Sequence, residues 1–418
     1  MKKNALFLFL TFTFFPLCSC LSSQWEPKIF PCSNKLENPY GIISHLTKEN
    51  ADYPYLAKEV AIMKRIGINS VRLDFAASQI KKDSNGWHTK IWDTVIDTLK
   101  ASDIELLPIL DRTIAAKPAW VNVSGYHKYL KYTLEKYGKD ASTWELMNEA
   151  DLYPISITYD SSGKRKKTFD YSASGVGYMS KLPDFYKYIK SISPSTKILF
   201  SGLASDKNGF LDTICAHGGY KYFDIMNIHC YLEPEQIPVV LKRIKRKMDK
   251  YGWAKPIWIT ECGMHTAKNG EKWRTEEEQA SRLPRIFLLS FAYGVDRVYW
   301  YNLRSSEKDS TYKEDHFGIM HADLSPKPAY YTYKTLVSLC PNGSTRPRVE
   351  QYNDLYKVNW VRPDGKCITA VWSKKKRKIS MKTKGNVRYL NSYGKRIAKV
   401  QYASKDIIYI IGKVDFIM

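Results

Sequence analysis

Two segments of the chain end an apolar run on a glutamate: Trp144-Glu145-Leu146-Met147-Asn148-Glu149 and Ile257-Trp258-Ile259-Thr260-Glu261-Cys262-Gly263. A carboxylate at the end of a buried strand sits where the backbone leaves the core and meets solvent. If two such ends face each other, one carboxyl can protonate a leaving oxygen. The other, ionised, can attack the carbon that oxygen leaves. That pairing suits hydrolysis of a glycosidic bond. A gap of roughly 5–5.5 Å between the carboxyls gives retention through a covalent intermediate, and roughly 6.5–9.5 Å admits a water and gives inversion. Taken singly, either glutamate is a weak signal and reads better as a surface or loop carboxylate. Other chemistries have less support: the histidines include no H-x-x-x-H pair, and G-x-S-x-G and P-loop motifs are absent. No metal and no cofactor is expected.

The elements that must position these residues follow from periodicity. Eight short β-rich runs are read at Tyr40–Ser44, Ser70–Asp74, Ile104–Leu110, Thr143–Met147, Lys197–Phe200, Asp224–His229, Pro256–Thr260 and Arg297–Tyr301. Between them, Leu56–Ile66, Ile91–Leu99, Tyr126–Tyr137, Leu182–Ile192, Ile237–Tyr251, Glu276–Tyr293 and Tyr330–Leu339 space apolar residues three and four apart, as amphipathic helices do. Several of these stretches stop at a glycine: Gly67, Gly138, Gly252 and Gly294. Strands alternating with helices make a parallel sheet covered by helices, and eight units fit a (β/α)8 TIM barrel. An open doubly wound sheet is the alternative, but its usual glycine-rich phosphate loop is missing. In a closed barrel the fourth and seventh strand ends face each other across the mouth, which brings Glu149 and Glu261 together. The polar stretch 155–181 follows the fourth strand and is read as a hairpin or flap over that mouth. After Pro341 the pattern shortens to alternating runs with turn signals, as in a small antiparallel β-sandwich domain.

The full chain of 418 residues is 44% hydrophobic and 26% charged, which excludes wholesale disorder and a small disulfide scaffold. Aromatic residues make up 14%, including 30 Tyr and 11 Trp, which suits either an aromatic core or the binding of sugar faces. Formal net charge is +23. More than half of it falls after Pro341, in a stretch read as a generally solvated basic face or as attraction to an acidic ligand. The first 20 residues read as an address. A positive Met1-Lys2-Lys3-Asn4 precedes an apolar run to Leu17, too short to span a bilayer and right for a signal peptide. Leu17-Cys18-Ser19-Cys20 resembles a bacterial lipobox, with Cys20 as the lipidated residue; cleavage of an ordinary signal peptide nearby is the alternative. Export disfavours nucleic acid as a partner. Residues 21–37 would form a tether, 38–340 the barrel and 341–418 the accessory domain. No two of the remaining cysteines are spaced C-x-x-C.

The barrel pattern with its two glutamates resembles clan A glycoside hydrolases, the superfamily that includes families 5 and 39. The resemblance spans the barrel, and its motifs are short but specific in combination. It implies that Glu149 is the acid/base and Glu261 the nucleophile of a retaining glycosidase. Asn148 would hydrogen-bond the sugar 2-hydroxyl. Arg72, in Ser70-Val71-Arg72-Leu73-Asp74-Phe75, would position the nucleophile and keep it ionised. His229 and Tyr231 match the clan's His-x-Tyr after strand six, with Tyr231 bonding the nucleophile, and Trp300 would lie under the reacting sugar. His45 and Trp120 sit where the clan contacts substrate. Plainer readings exist: a structural ion pair for Arg72, a core histidine for His229, barrel filling for Trp300. The motif departs from the frequent Asn-Glu-Pro, continuing here as Ala150-Asp151. The reading is an exported, membrane-anchored, monomeric lipoprotein that cleaves a β-linked glycan of mannan, glucan or xylan type. An exo-acting β-glycosidase such as a β-xylosidase, or a non-catalytic glycan-binding lipoprotein, are the alternatives.

Overall fold

Eight parallel strands form the centre of the molecule: β1 Tyr40–Ile43, β2 Ser70–Phe75, β3 Glu105–Leu110, β4 Thr143–Leu146, β5 Lys197–Leu199, β6 Met226–Cys230, β7 Ile257–Cys262 and β8 Val295–Trp300. The computed structural model describes residues 32–76, 82–83, 86–110, 123–152, 156–162, 165–168, 170–268 and 274–417. The strands hydrogen-bond in the order β6-β7-β8-β1-β2-β3-β4-β5. The gap between β5 and β6 is closed by bridges Leu199↔Ile225 and Leu203↔Ile228 and by the bond from His229 N–H to the Leu203 carbonyl at 2.8 Å. The result is a TIM barrel.

The helices around it are α1 Leu56–Ile66, α2 Lys90–Ala101, α3 Val123–Tyr137, α4 Tyr171–Met179, α5 Leu182–Ile192, α6 Phe210–Ala216, α7 Ile237–Lys250, α8 Glu276–Ala292 and α9 Pro328–Leu339. In α1, Leu56, Val60, Met63 and Ile66 form the buried stripe, and Gly67 ends the helix at φ 87°, a left-handed position that suits glycine. A reciprocal Thr275/Glu278 cap starts α8. Two helices lie outside the sequence expectation. In α4 the residues of Tyr171–Met179 include two glycines and carry no apolar stripe; a Cβ on Gly175 would lie 2.9 Å from Thr213, so the glycine lets α4 press on α6. Ahead of α4, Ser156–Tyr159 and Arg165–Thr168 pair as the antiparallel hairpin expected over the mouth.

The C-terminal part is an antiparallel sheet. Its strands are β9 Arg348–Tyr352, β10 Leu355–Val361, β11 Cys367–Ser373, β12 Met381–Leu390, β13 Arg396–Ile397 and β14 Ile408–Ile417, in the order β9-β10-β11-β14-β12-β13. Alternation splits its residues. Tyr356, Val358, Trp360, Ile368, Ala370 and Trp372 join the barrel's core. Leu355, Val371, Ile408 and Ile410 join Met381, Ile379 and Ala403 in a second core on the other face. The expected tether is corrected at its end. Leu36 is fully buried, its N–H donates to the Ser344 carbonyl at 2.9 Å, and Lys35 bridges Thr345, so the folded body already includes residues 34–37. Burying the Leu36 side chain supplies the reason. Cys32, Cys215, Cys230, Cys262, Cys340 and Cys367 are free thiols. Cys20, the signal segment and Trp120 lie outside the described residues.

Candidate active site

Glu149 and Glu261 meet at the C-terminal mouth of the barrel. Glu261 is the next-to-last residue of β7 and Glu149 follows β4, so the barrel brings them together as the sequence implied. Oxygens of the two carboxylates and a ring nitrogen of His229 all lie within 4.8 Å of one another. Glu149 has φ 44° and Met147 φ 68°, both left-handed, which costs about 1–3 kcal/mol apiece in a non-glycine residue. That turn is held from below. The Ala150 N–H donates to Ser201 Oγ at 2.8 Å, and the buried Asp151 accepts from Ala204 N, Ser205 N and Asn208 Nδ2. Ala150 and Asp151 therefore clamp the Glu149 turn to the loop after β5.

Glu261 is surrounded by donors. Arg72 Nη1 reaches Oε1 at 2.7 Å and the Tyr231 hydroxyl donates to Oε2 at 2.6 Å. His229 Nδ1 lies 3.5 Å from Oε2. Burial works to raise the Glu261 pKa, but the charges of His229 and Arg72 and the Tyr231 hydrogen bond outweigh it, and the group is held below the ordinary carboxylate value. The same field acts on the partners. Burial lowers the His229 pKa, but Glu261 and Glu149 more than reverse this and leave it raised. Burial and the neighbouring Glu261 push the Tyr231 phenol well above its usual value, so it stays a donor.

Arg72 is itself fixed by a residue the sequence reading quoted without a role. Its Nε and Nη2 bind both oxygens of the fully buried Glu145 at 2.7 and 2.8 Å. Its Nη2 also donates to Asn148 Oδ1 at 2.7 Å. Glu145 lies four residues before Glu149 on β4, whose residues are all buried, so no alternation along the strand marked it.

The hydrogen on His229 Nε2 can be located. Thr260 Oγ1 donates to Asn227 Oδ1 at 2.9 Å, so it accepts from His229 Nε2, 3.2 Å away. Nε2 therefore carries a hydrogen. Nδ1 faces Glu149 Oε1 at 2.9 Å, and one proton lies between them whichever atom holds it. His229 packs against Gly202, where an added Cβ would lie 2.0 Å from Nε2.

The remaining expectations divide. His45 sits at the mouth, 3.3 Å from Asp74 and edge-on to Tyr301. Lys48 binds the same Asp74 at 2.7 Å. Trp300 was expected in contact with the sugar. It is instead fully buried and fills the end of the barrel. The aromatic group beside Glu261 comprises Tyr231, Tyr301 and Phe317, of which sequence reasoning named only Tyr231 as a site residue. The loop that brings Phe317 in carries no motif. The three-ligand cluster could in principle hold a cation, but Arg72 already supplies a buried positive charge to Glu261.

Comparisons with known proteins agree with this fold. Residues 181–329 match the family described as the glycosyl hydrolase catalytic core. No protein of curated function matches the sequence. Among solved structures, a family 39 glycoside hydrolase from the gut symbiont Bacteroides cellulosilyticus superposes at TM-score 0.70 and 18% identity, covering 90% of this chain and 81% of that one. A family 39 β-xylosidase from Caulobacter crescentus gives 0.59 at 13% identity, covering 91% and 97%. A family 30 subfamily 8 xylanase from Clostridium acetobutylicum gives 0.59 at 12%, covering 92% and 98%. The matched segment is similar to a glycosyl hydrolase catalytic core, and the whole chain shares its fold with these family 39 and family 30 glycoside hydrolases.

Proposed function

We propose that the chain is a retaining β-glycosidase whose nucleophile is Glu261 and whose acid/base is Glu149. The observation that carries the reading is the closeness of the two carboxylates, with one oxygen of each within 4.8 Å of the other, which favours the short separation of a retaining site over the wider one of an inverting site. In the first step Glu261 attacks the anomeric carbon while Glu149 gives its proton to the departing oxygen. A glycosyl ester on Glu261 and a free aglycone result. In the second step Glu149 takes a proton from water, the water oxygen bonds the anomeric carbon, and Glu261 leaves as a carboxylate. Arg72 and Tyr231 hold Glu261 for attack, and His229 Nδ1 holds the Glu149 carboxyl that gives up its proton in the first step and regains one from water in the second. Two opposed carboxylates have no use in binding alone, which favours catalysis over a non-catalytic glycan-binding protein.

The substrate class we propose is a β-linked glycan of mannan, glucan or xylan type. The β-xylosidase and xylanase among the structural relatives support the xylan member of that set, one by exo and one by endo action in their own names. The hairpin 156–168 beside the mouth favours the exo alternative, because a wall at one end of a cleft selects chain ends. The test is product analysis on β-linked polysaccharides and aryl β-glycosides, with Glu149→Ala and Glu261→Ala as controls. Mixed oligosaccharides establish endo action and a single monosaccharide establishes exo action. Activity that survives Glu261→Ala contradicts the mechanism. We further propose export and lipidation at Cys20, with the protein anchored at the outer membrane. The mass of the membrane-extracted protein and its loss from membranes on Cys20→Ser are the checks.

A further inference from the structure

The end of the barrel opposite the catalytic mouth carries a second feature. A groove of about 820 Å³ lies between the C-terminal sheet and the barrel base. Asn34, Ala292, Arg346, Arg348, Thr369 and Lys413 are among the residues lining it, and no Asp or Glu lines it. Arg346 is fully engaged: it binds the carbonyls of Ser33, Phe291 and Val295 and pairs with Asp296 at 2.6 Å. Arg348 and Lys413 are exposed, and among the described residues neither side chain has an ion-pair partner. Lys413 stands directly opposite Lys384 across β12 and β14.

The same end is basic beyond the groove. Each barrel helix runs back toward the base, so its C-terminus lies there. The last turn of α1 carries Lys64 and Arg65, and that of α7 carries Lys247 and Lys250. At the mouth, α8 begins with Glu276, Glu277 and Glu278. The chain also enters at the base: the Arg346 N–H donates to the Asn34 carbonyl at 2.8 Å. Only residues 21–31 separate Cys20 from Cys32, a reach of at most about 40 Å.

We infer that this basic base is a docking surface for the phosphodiester headgroups of an anionic phospholipid membrane, and that docking turns the catalytic mouth away from the membrane. The inference rests on the exported-lipoprotein reading for the presence of a membrane. The lipid would keep the protein at the surface, and the base would set which way the barrel faces.

The test uses the chain from Leu21 onward, which keeps every described residue and lacks the lipid. It is sedimented with phosphatidylcholine vesicles with and without phosphatidylglycerol. Binding is expected only with phosphatidylglycerol and is expected to weaken as salt rises. Each cation near an anionic surface is worth roughly fivefold, so Arg348→Glu with Lys413→Glu should lower partitioning at least about tenfold while leaving turnover of a soluble glycoside unchanged. Lys308→Glu with Lys313→Glu, the same charge change on the mouth loop, should bind like the wild type. Equal losses in both double variants would reduce the effect to net charge and overturn the proposal. So would absent binding, or binding that survives the Arg348 and Lys413 changes. Capture of polygalacturonate through Arg348 and Lys413 without vesicle binding would make the groove an acidic-glycan site and overturn it too. Acylation of Cys20 is scored separately on the membrane-extracted protein, so failure of the anchor reading is not confused with failure of the surface.

Discussion

Glu261 and Glu149 differ because their neighbours differ. Glu261 accepts from Arg72 and Tyr231 and lies in the field of His229, whereas Glu149 shares one proton with His229 Nδ1. In the proposed double displacement Glu261 must be ionised to attack, so the acid limb of kcat/KM should fall below the ordinary glutamate range. Among the charges that depress Glu261, that of His229 is the largest. His229→Gln should therefore move this limb to higher pH, read from a pH profile on an aryl glycoside. The sign for stability runs the same way. The Glu261 contribution is present above its unfolded value and lost as pH falls through its depressed folded value. The His229 contribution is present below its unfolded value and lost as pH rises through its raised folded value. Glu149→Ala should cut kcat about 10²–10⁴-fold on substrates with poor leaving groups and much less on activated aryl glycosides, which need no proton. Most of these residues were legible because residue type and strand position agreed. Glu145 was not, because a buried carboxylate becomes meaningful only once its arginine is seen beside it.

At the scale of elements, the site depends on how closely β4, β5 and β6 approach. Glu145 on β4 holds Arg72 of β2, and Gly202 after β5 leaves the space that His229 of β6 fills. Gly202→Ala would place a methyl 2.0 Å from His229 Nε2, so the ring must turn. Activity should fall at least about tenfold, since small misplacements of catalytic groups are costly, while the melting temperature changes little. Circular dichroism melts beside steady-state rates check this. Barrel strands and seven helices were legible from periodicity. The helices α4 and α6 were not: the first is glycine-rich, the second is only Phe210–Ala216, and both are held by tertiary contact rather than by their own pattern.

At the scale of the molecule, the C-terminal sheet is joined to the barrel by aromatic burial. Trp360 is nearly fully buried and its indole N–H donates to the Leu339 carbonyl at 2.8 Å at the end of α9. Tyr356 and Trp372 stack with ring centroids 5.1 Å apart, and both belong to the barrel's core cluster. Trp360→Ala should cost about 3–5 kcal/mol and uncouple the sheet from the barrel, giving two denaturation transitions where the wild type gives one. The antiparallel character of this sheet was legible from its turns. How it packs was not, because alternation marks two faces without saying which meets the barrel.

The most direct test of the double displacement is to trap its intermediate. A panel of 2-deoxy-2-fluoro β-glycosides with good leaving groups slows release of the sugar from the nucleophile. Intact mass followed by peptide mapping locates any adduct. The structure predicts one sugar per chain, bound as an ester to Glu261 and absent in Glu261→Gln. An adduct on Glu149, or turnover of ordinary substrate to the inverted anomer, would contradict the assignment.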